Sequence, residues 1–340
     1  MVWLSCLRRA NQGFLVRISM LLLIWVIQTG KILNASDPQS TLCIVIGAPG
    51  ESEYGEMFKE WRSQWLKTTE GLLPVWIGEA GANELDQGDQ RQEDRDRLRR
   101  WIASVEGMDE PSTCWLVLIG HGTYDGKVAK FNLRGADVSS MELGEWLKGS
   151  KHRWMIAVCA SSSGPFLASL AGPNRVIITA TRSGSETNFS RFGGYFAQSL
   201  GDITSDLDHD ESISVLEAYV AASRKTERYY QEKRLLATEH PIFDDNGDGK
   251  GTSMDFFRGL RPIKRPEKGI ADGELARRIW LVEPKGTKLL TQADKDKITE
   301  IENQIDALRD KKATMTQESY YGDLEKLLVE LARILYPSSR

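Results

Sequence analysis

The chain is poor in cysteine, has no long apolar run and carries no excess of basic charge, and each shortage narrows what it can be. It holds four cysteines in 340 residues. Cys6 lies in the N-terminal segment, which leaves Cys43, Cys114 and Cys159, an odd set in which one thiol at least stays free. The apolar stretch Ile18 to Ile27 is ten residues long, short of the roughly 20 that span a bilayer. A formal charge of -4 lacks the basic footprint of a nucleic-acid binder. No Gly-x-Ser-x-Gly sequence is present, which weakens a serine-hydrolase assignment through Ser161 to Ser163.

The N-terminus reads as an export signal. Arg8, Arg9 and Arg17 precede or flank the apolar stretch without an acid, and Leu33-Asn34-Ala35 resembles a small-residue cleavage site, so residues 1–35 are expected to be a secretory signal peptide. The expected destination is the periplasm, cell surface or extracellular space, with membrane attachment only if the segment is retained. Its removal takes away Arg8, Arg9, Arg17 and Lys31 and moves the charge to about -8. About 305 residues then remain, enough for one large domain and a smaller appendage.

Along the chain, short β-branched runs alternate with helical patterns. Leu42 to Ile46 ends at Gly47-Ala48-Pro49-Gly50. Aromatic residues follow at Tyr54, Phe58, Trp61 and Trp65, a helical spacing. Val75 to Ile77, Leu116 to Ile119, Met155 to Val158 and Arg175 to Ala180 read as further strands. Helices are expected near Leu98 to Val105, Ser140 to Leu147 and Phe166 to Leu170. This order predicts an α/β fold with a mostly parallel sheet covered on both faces. Cys43 and Cys114 are expected as buried strand residues, bridged only if their strands are neighbours.

Two strand ends carry the chemistry. Leu116 to Ile119 delivers Gly120-His121-Gly122, and Met155 to Val158 delivers Cys159, followed by Ala-Ser-Ser-Ser-Gly-Pro. Open α/β sheets bind ligands at such C-terminal ends. Ser163 suits an N-cap and Pro165 the first helical turn, so Cys159 is expected near a helix N-terminus that lowers its pKa. The glycines beside His121 leave the Gly122 amide open, and with the Cys159 amide it is expected to donate to an oxyanion. His121 would manage the proton passed to the leaving amine.

These residues resemble the legumain-like and caspase-like cysteine peptidases, whose shared signature is an apolar strand ending in His-Gly and a later one ending in Cys. The likeness is carried by Leu116 to Gly122 and Met155 to Cys159, and extends from about Leu42 to Leu200. It is nearest to exported bacterial legumain-like proteins of unassigned substrate. The resemblance implies a caspase-like three-layer αβα sandwich over residues 40–260 and a cysteine endopeptidase with a His121 and Cys159 dyad and a Gly122 oxyanion amide. It also implies a pocket for the substrate side chain in the loop holding Arg182, Ser183, Ser185 and Glu186. The loop after the first strand lacks the basic residues that bind asparagine in legumains, so asparagine specificity is not transferred. The rival expectation is a non-catalytic caspase-fold protein for calcium binding or surface interaction.

Two acidic loops suggest a structural Ca²⁺. Asp206, Asp208, Asp210, Ser212, Ser214 and Glu217 fall at positions 1, 3, 5, 7, 9 and 12 of the calcium-loop pattern in residues 206–217. In residues 244–255, Asp244, Asn246, Asp248 and Asp255 do likewise, with Gly249 at the turn position, and this second loop fits better. No cofactor is expected for catalysis. Residues 261–290 read as a basic, proline-containing connector, with Ile279 to Val282 one more strand. Residues 291–337 read as a helical hairpin, marked by Ile298, Ile301, Ile305 and Leu308 and then Leu324, Leu327, Leu328, Leu331 and Leu335. Self-association through these helices is the expected partner beside a peptide or protein substrate.

Overall fold

The computed structural model describes residues 41–78, 93–263, 271–282 and 292–335. The expected signal peptide and the remainder of the connector lie outside these residues. Strand β1 (Leu42–Ile46) leads through an extended loop into helix α1 (Ser52–Thr68), then β2 (Val75–Ile77) and α2 (Asp94–Glu106). Next come β3 (Thr113–Gly120), a small antiparallel sheet of β4 (Gly122–Tyr124), β5 (Ala129–Phe131) and β6 (Val138–Ser139), and α3 (Ser140–Trp146). Strand β7 (Arg153–Ala160), α4 (Gly164–Leu170), β8 (Arg175–Thr179), α5 (Phe192–Leu200), α6 (Val215–Lys233) and β9 (Ile242–Asp244) complete the main body.

The central sheet runs in the order β2-β1-β3-β7-β8-β9. All neighbours are parallel except β8 and β9. Its strands are apolar almost continuously because both faces are covered, as a parallel sheet requires. On one face Ile44, Val117, Ile119, Met155, Ala157, Cys159 and Ile178 pack with Phe58, Trp61 and Trp65 of α1 and Phe192 and Phe196 of α5. On the other, Val45, Leu116, Leu118, Ile156, Val158 and Ile177 pack with Leu98, Trp101 and Ile102 of α2, Leu143 of α3 and Phe166 and Leu170 of α4. This is a mixed α/β arrangement, compatible with a three-layer sandwich. Each fully buried side chain stabilises by about 2 kcal/mol. Exposed ion pairs such as Lys59 with Glu56 contribute about 1 kcal/mol or less, so the two apolar layers hold the fold.

Two helices start on reciprocal caps. Ser139 and Glu142 form one capping box at α3, and Ser214 and Glu217 form another at α6. Cys43 and Cys114 do sit on neighbouring strands, yet both thiols are free. The ladder pairs Cys43 with Leu116, two positions away from Cys114.

The described part of the connector is not a spacer. Ala276 and Ile279 are buried in the main core, Val215 N donates to Ile279 O, and Trp280 makes only an isolated bridge with Ser214 instead of the expected strand. Beyond it, α7 (Gln292–Asp310) and α8 (Gln317–Leu335) form the hairpin read from the sequence. Ile301, Ile305 and Tyr320 are buried there, and Glu302 reaches back to Arg277 and Arg278. Among the described residues no helix is long and apolar enough to cross a membrane.

Candidate functional site

The parallel register of β3 and β7 pairs Ile119 with Cys159 and Gly120 with Ala160. Carried one step further, it sets His121 opposite Ser161, so Cys159 lies two residues inside the sheet edge. Its side chain is 1% exposed and belongs to the apolar layer under α5. The backbone of α5 closes over it at Gly193, where an added Cβ would stand 2.7 Å from the Cys159 Cβ. Burial, and then the charge of Glu239, pushes the thiol well above its ordinary pKa.

The expected activation of Cys159 is therefore corrected. Helix α4 packs on the opposite face of the sheet from the thiol, through Phe166 and Leu167, so its N-terminal dipole does not address the sulfur. Ser163 makes no capping bond to α4. Thr181 Oγ1 instead accepts from Gly164 N and shares a hydrogen bond with Ser163 Oγ.

Ser161, just past the end of β7, lies against Gly122. Gly122 N donates to Ser161 Oγ at 3.1 Å, and that hydroxyl donates to Gly122 O at 3.2 Å. The expected open amide of Gly122 is thus engaged. Glycine is required here because a Cβ at 122 would lie 2.2 Å from Ser161 O. His121 Nε2 is 3.1 Å from Pro49 O; a carbonyl only accepts, so Nε2 carries the proton and Nδ1 is left as the basic nitrogen. The ring is held by Tyr54, Phe58 and Phe189, with centroids at 4.9, 5.6 and 5.7 Å. Among the described residues no hydrogen bond joins His121 to Cys159 or to Ser161.

The neighbouring loop is built as a clamp. Glu186 Oε1 pairs with His240 Nδ1 at 2.6 Å and Arg182 Nε at 3.2 Å, while Oε2 accepts from Arg182 N and His240 N. Glu186, one of the residues expected to line the substrate pocket, is therefore committed within the protein. Ser183 Oγ and Ser185 Oγ bond to each other at 2.8 Å. Arg182 keeps 62% of its side chain exposed. Ser162 N donates to Glu186 O, and Ser162 takes a left-handed φ of 54°, which tightens the turn between β7 and α4.

The two acidic loops share a mode of closure. Among the described residues, Asp206, Asp208 and Asp210 bring carboxylate oxygens within 4.8 Å of one another. Glu217 is not free to join as the twelfth-position ligand, because its oxygens accept from Leu207 N, Ser214 N and the Ser214 hydroxyl. Asp206 also accepts from His209 N, Asp210 N and Glu211 N, and Asp210 from Ser212 N. The second loop is closed in the same way. Asp244 accepts from Gly247 N and Gly249 N, Asn246 from Asp248 N, and Asp248 from Lys250 N; Asp255 sits in an exposed turn of 3-10 helix. Both loops are thus closed by carboxylates that accept backbone amides, and the first also brings three acids together.

Several site residues carried little sequence signal. Pro49 contributes a carbonyl, which any residue could supply. Glu239, 2% exposed, accepts from Ser190 Oγ, Arg191 N, Phe192 N and Tyr230 OH, and so seats the start of α5 over Cys159. Ser161 was visible only as one of a run of serines after Ala160. No family model and no curated protein sequence matches the chain.

Proposed function

We propose that the chain is an exported peptide hydrolase of the legumain-like or caspase-like kind, working at the edge where β3 and β7 end. In this reading His121 Nδ1 is the general base and acid, the attacking oxygen is Ser161 rather than the sulfur of Cys159, and the Gly122 amide, which donates to Ser161 Oγ in the resting chain, passes to the oxyanion as that oxygen attacks. The observation that carries it is the 3.1 Å approach of Ser161 Oγ to Gly122 N, beside an imidazole whose tautomer is set by Pro49 O. The proton would pass from Ser161 Oγ to His121 Nδ1 and then to the leaving amine as the acyl ester forms, and water would release the ester.

A second reading, a non-catalytic peptide-binding protein, is favoured by one feature. The Ser161 hydroxyl spends its hydrogen bonds on both backbone groups of Gly122 and none on the imidazole. The two readings differ in a direct test of the purified chain, lacking residues 1–35, on a fluorogenic peptide library. Hydrolysis lost in Ser161→Ala and kept in Cys159→Ala supports the hydrolase. Loss in Cys159→Ala with Ser161→Ala active returns the nucleophile to the thiol. Silence of the wild-type chain in the presence of peptide binding supports the second reading, and Ser161→Cys then asks whether a thiol at this position restores cleavage.

Calcium enters the proposal as a structural ion at Asp206, Asp208 and Asp210, which hold enough negative charge for a hard cation. Its contribution would be to fix the loop between α5 and α6, with no step of the chemistry passing through it.

A further inference from the structure

Helix α1 turns Tyr54 to the sheet edge, and the segment before α5 brings Phe189 against it. The two rings stack at 4.6 Å with 19° between their planes. Tyr54 meets the His121 ring edge-on at 4.9 Å, and Phe189 does so at 5.7 Å. Behind them Phe58 and Trp61 are buried and stand 6.0 and 5.6 Å from Phe189. The pair is therefore backed by the core and cannot sink deeper. Both rings remain partly in solvent, and the Tyr54 hydroxyl makes no hydrogen bond among the described residues. Arg191 continues the surface, lying 5.7 Å from the Phe189 centroid and 4.4 Å from that of Tyr229.

A rigid, half-wet aromatic pair immediately beside the His121 imidazole has the character of a recognition surface. It offers large contact area at little cost in side-chain entropy, because each ring is already held. We propose that the solvent side of the Tyr54 and Phe189 pair is a specificity subsite that takes an apolar side chain, aromatic or branched aliphatic, of the peptide addressed by His121. The inference rests on the reading of this edge as a peptide site. It assigns selectivity to the α1 side of the edge, whereas Glu186, one of the residues the sequence offered for that task, is occupied by His240 and Arg182.

The test measures binding apart from turnover. Fluorescein-labelled alanine hexapeptides, each with one Phe, Leu, Asp or Lys at successive positions, are titrated against the Ser161→Ala chain by fluorescence anisotropy. The expected result is about tenfold tighter binding of a Phe or Leu peptide than of the Asp peptide at one position. Phe189→Ala should remove that preference and Phe189→Leu should keep most of it, with circular dichroism confirming the fold of each. An absent preference, or one untouched by both Phe189→Ala and Tyr54→Ala, overturns the subsite. The same peptides are offered to the wild-type chain for cleavage. Cleavage without apolar preference overturns the subsite and keeps the hydrolase; preference without cleavage does the reverse.

Discussion

At the residue scale, a thiol and a hydroxyl two positions apart have opposite fates because Cys159 lies inside β7, under α5, whereas Ser161 follows the last residue of that strand, Ala160, and enters the turn beside Gly122. Cys159 faces the layer under α5, and its raised pKa leaves it almost wholly protonated at neutral pH. Iodoacetamide should therefore leave Cys159 unmodified in the folded chain and label it once the chain is unfolded, read by peptide mass spectrometry. Rapid labelling in native buffer would contradict the buried placement. Glu239 is the residue whose loss should cost most near the site. Glu239→Ala removes the acceptor of four donors, two of them backbone amides at the start of α5. Destabilisation of about 3 kcal/mol is expected in urea unfolding.

At the element scale, short polar loops are fixed by carboxylates that accept backbone amides. Asp245 accepts from Gly273 N, Leu275 N and Ala276 N, while Asp272 accepts from Asp245 N, Asn246 N and the Thr252 hydroxyl. This reciprocal pair stitches the connector to the loop after β9. Asp245→Ala should cost about 2 kcal/mol and raise hydrogen exchange at residues 271–282 before it does so in β3 or β7.

The 206–217 loop carries the opposite tension. Desolvation, followed by the negative charge of Glu217, Asp210 and Asp206, pushes the Asp208 carboxyl up to about 6. The folded state thus holds a proton that the unfolded state releases from about pH 4 upward, and stability from this group is lost as pH rises through about 6. Without calcium, Asp208→Asn should match the wild type near pH 4 and exceed its Tm increasingly up to about pH 6, with no further gain above. Calcium at pH 7 should raise the Tm of the wild type and leave that of Asp208→Asn unchanged.

At the scale of the whole molecule, the described residues form a six-stranded main sheet between two apolar layers and a helical hairpin whose buried residues, Ile301, Ile305 and Tyr320, join neither layer. The hairpin meets the main body through Glu302 with Arg277 and Arg278, side chains that are a quarter to a third exposed. Such partly screened pairs contribute about 1 kcal/mol or less each. A chain ending at residue 291 should therefore keep its near-ultraviolet circular dichroism and most of its Tm; loss of cooperative unfolding would show that the hairpin is part of the core.

Sequence alone determined the five parallel strands of the main sheet, helices α1 to α4 and the C-terminal hairpin, because apolar runs and helical spacing report burial directly; it did not give α5, α6, the antiparallel β9 or the small sheet of β4 to β6. It also singled out the His121 turn, since glycines on both sides of a histidine after an apolar run are a local signal. Tertiary structure decided which side chain meets that turn. Strand register, set by pairing of β3 with β7, puts Ser161 beside Gly122 and leaves Cys159 in the core. The packing of α5 and α4 on opposite faces decides that the thiol meets an apolar layer and not a helix dipole. Likewise, whether acidic residues converge on an ion or tie up amides depends on how a loop closes, and a spacing pattern does not contain that. In both loops the first aspartate accepts backbone amides, Asp206 from His209, Asp210 and Glu211 and Asp244 from Gly247 and Gly249, and the 206–217 loop in addition brings three carboxylates within 4.8 Å of one another.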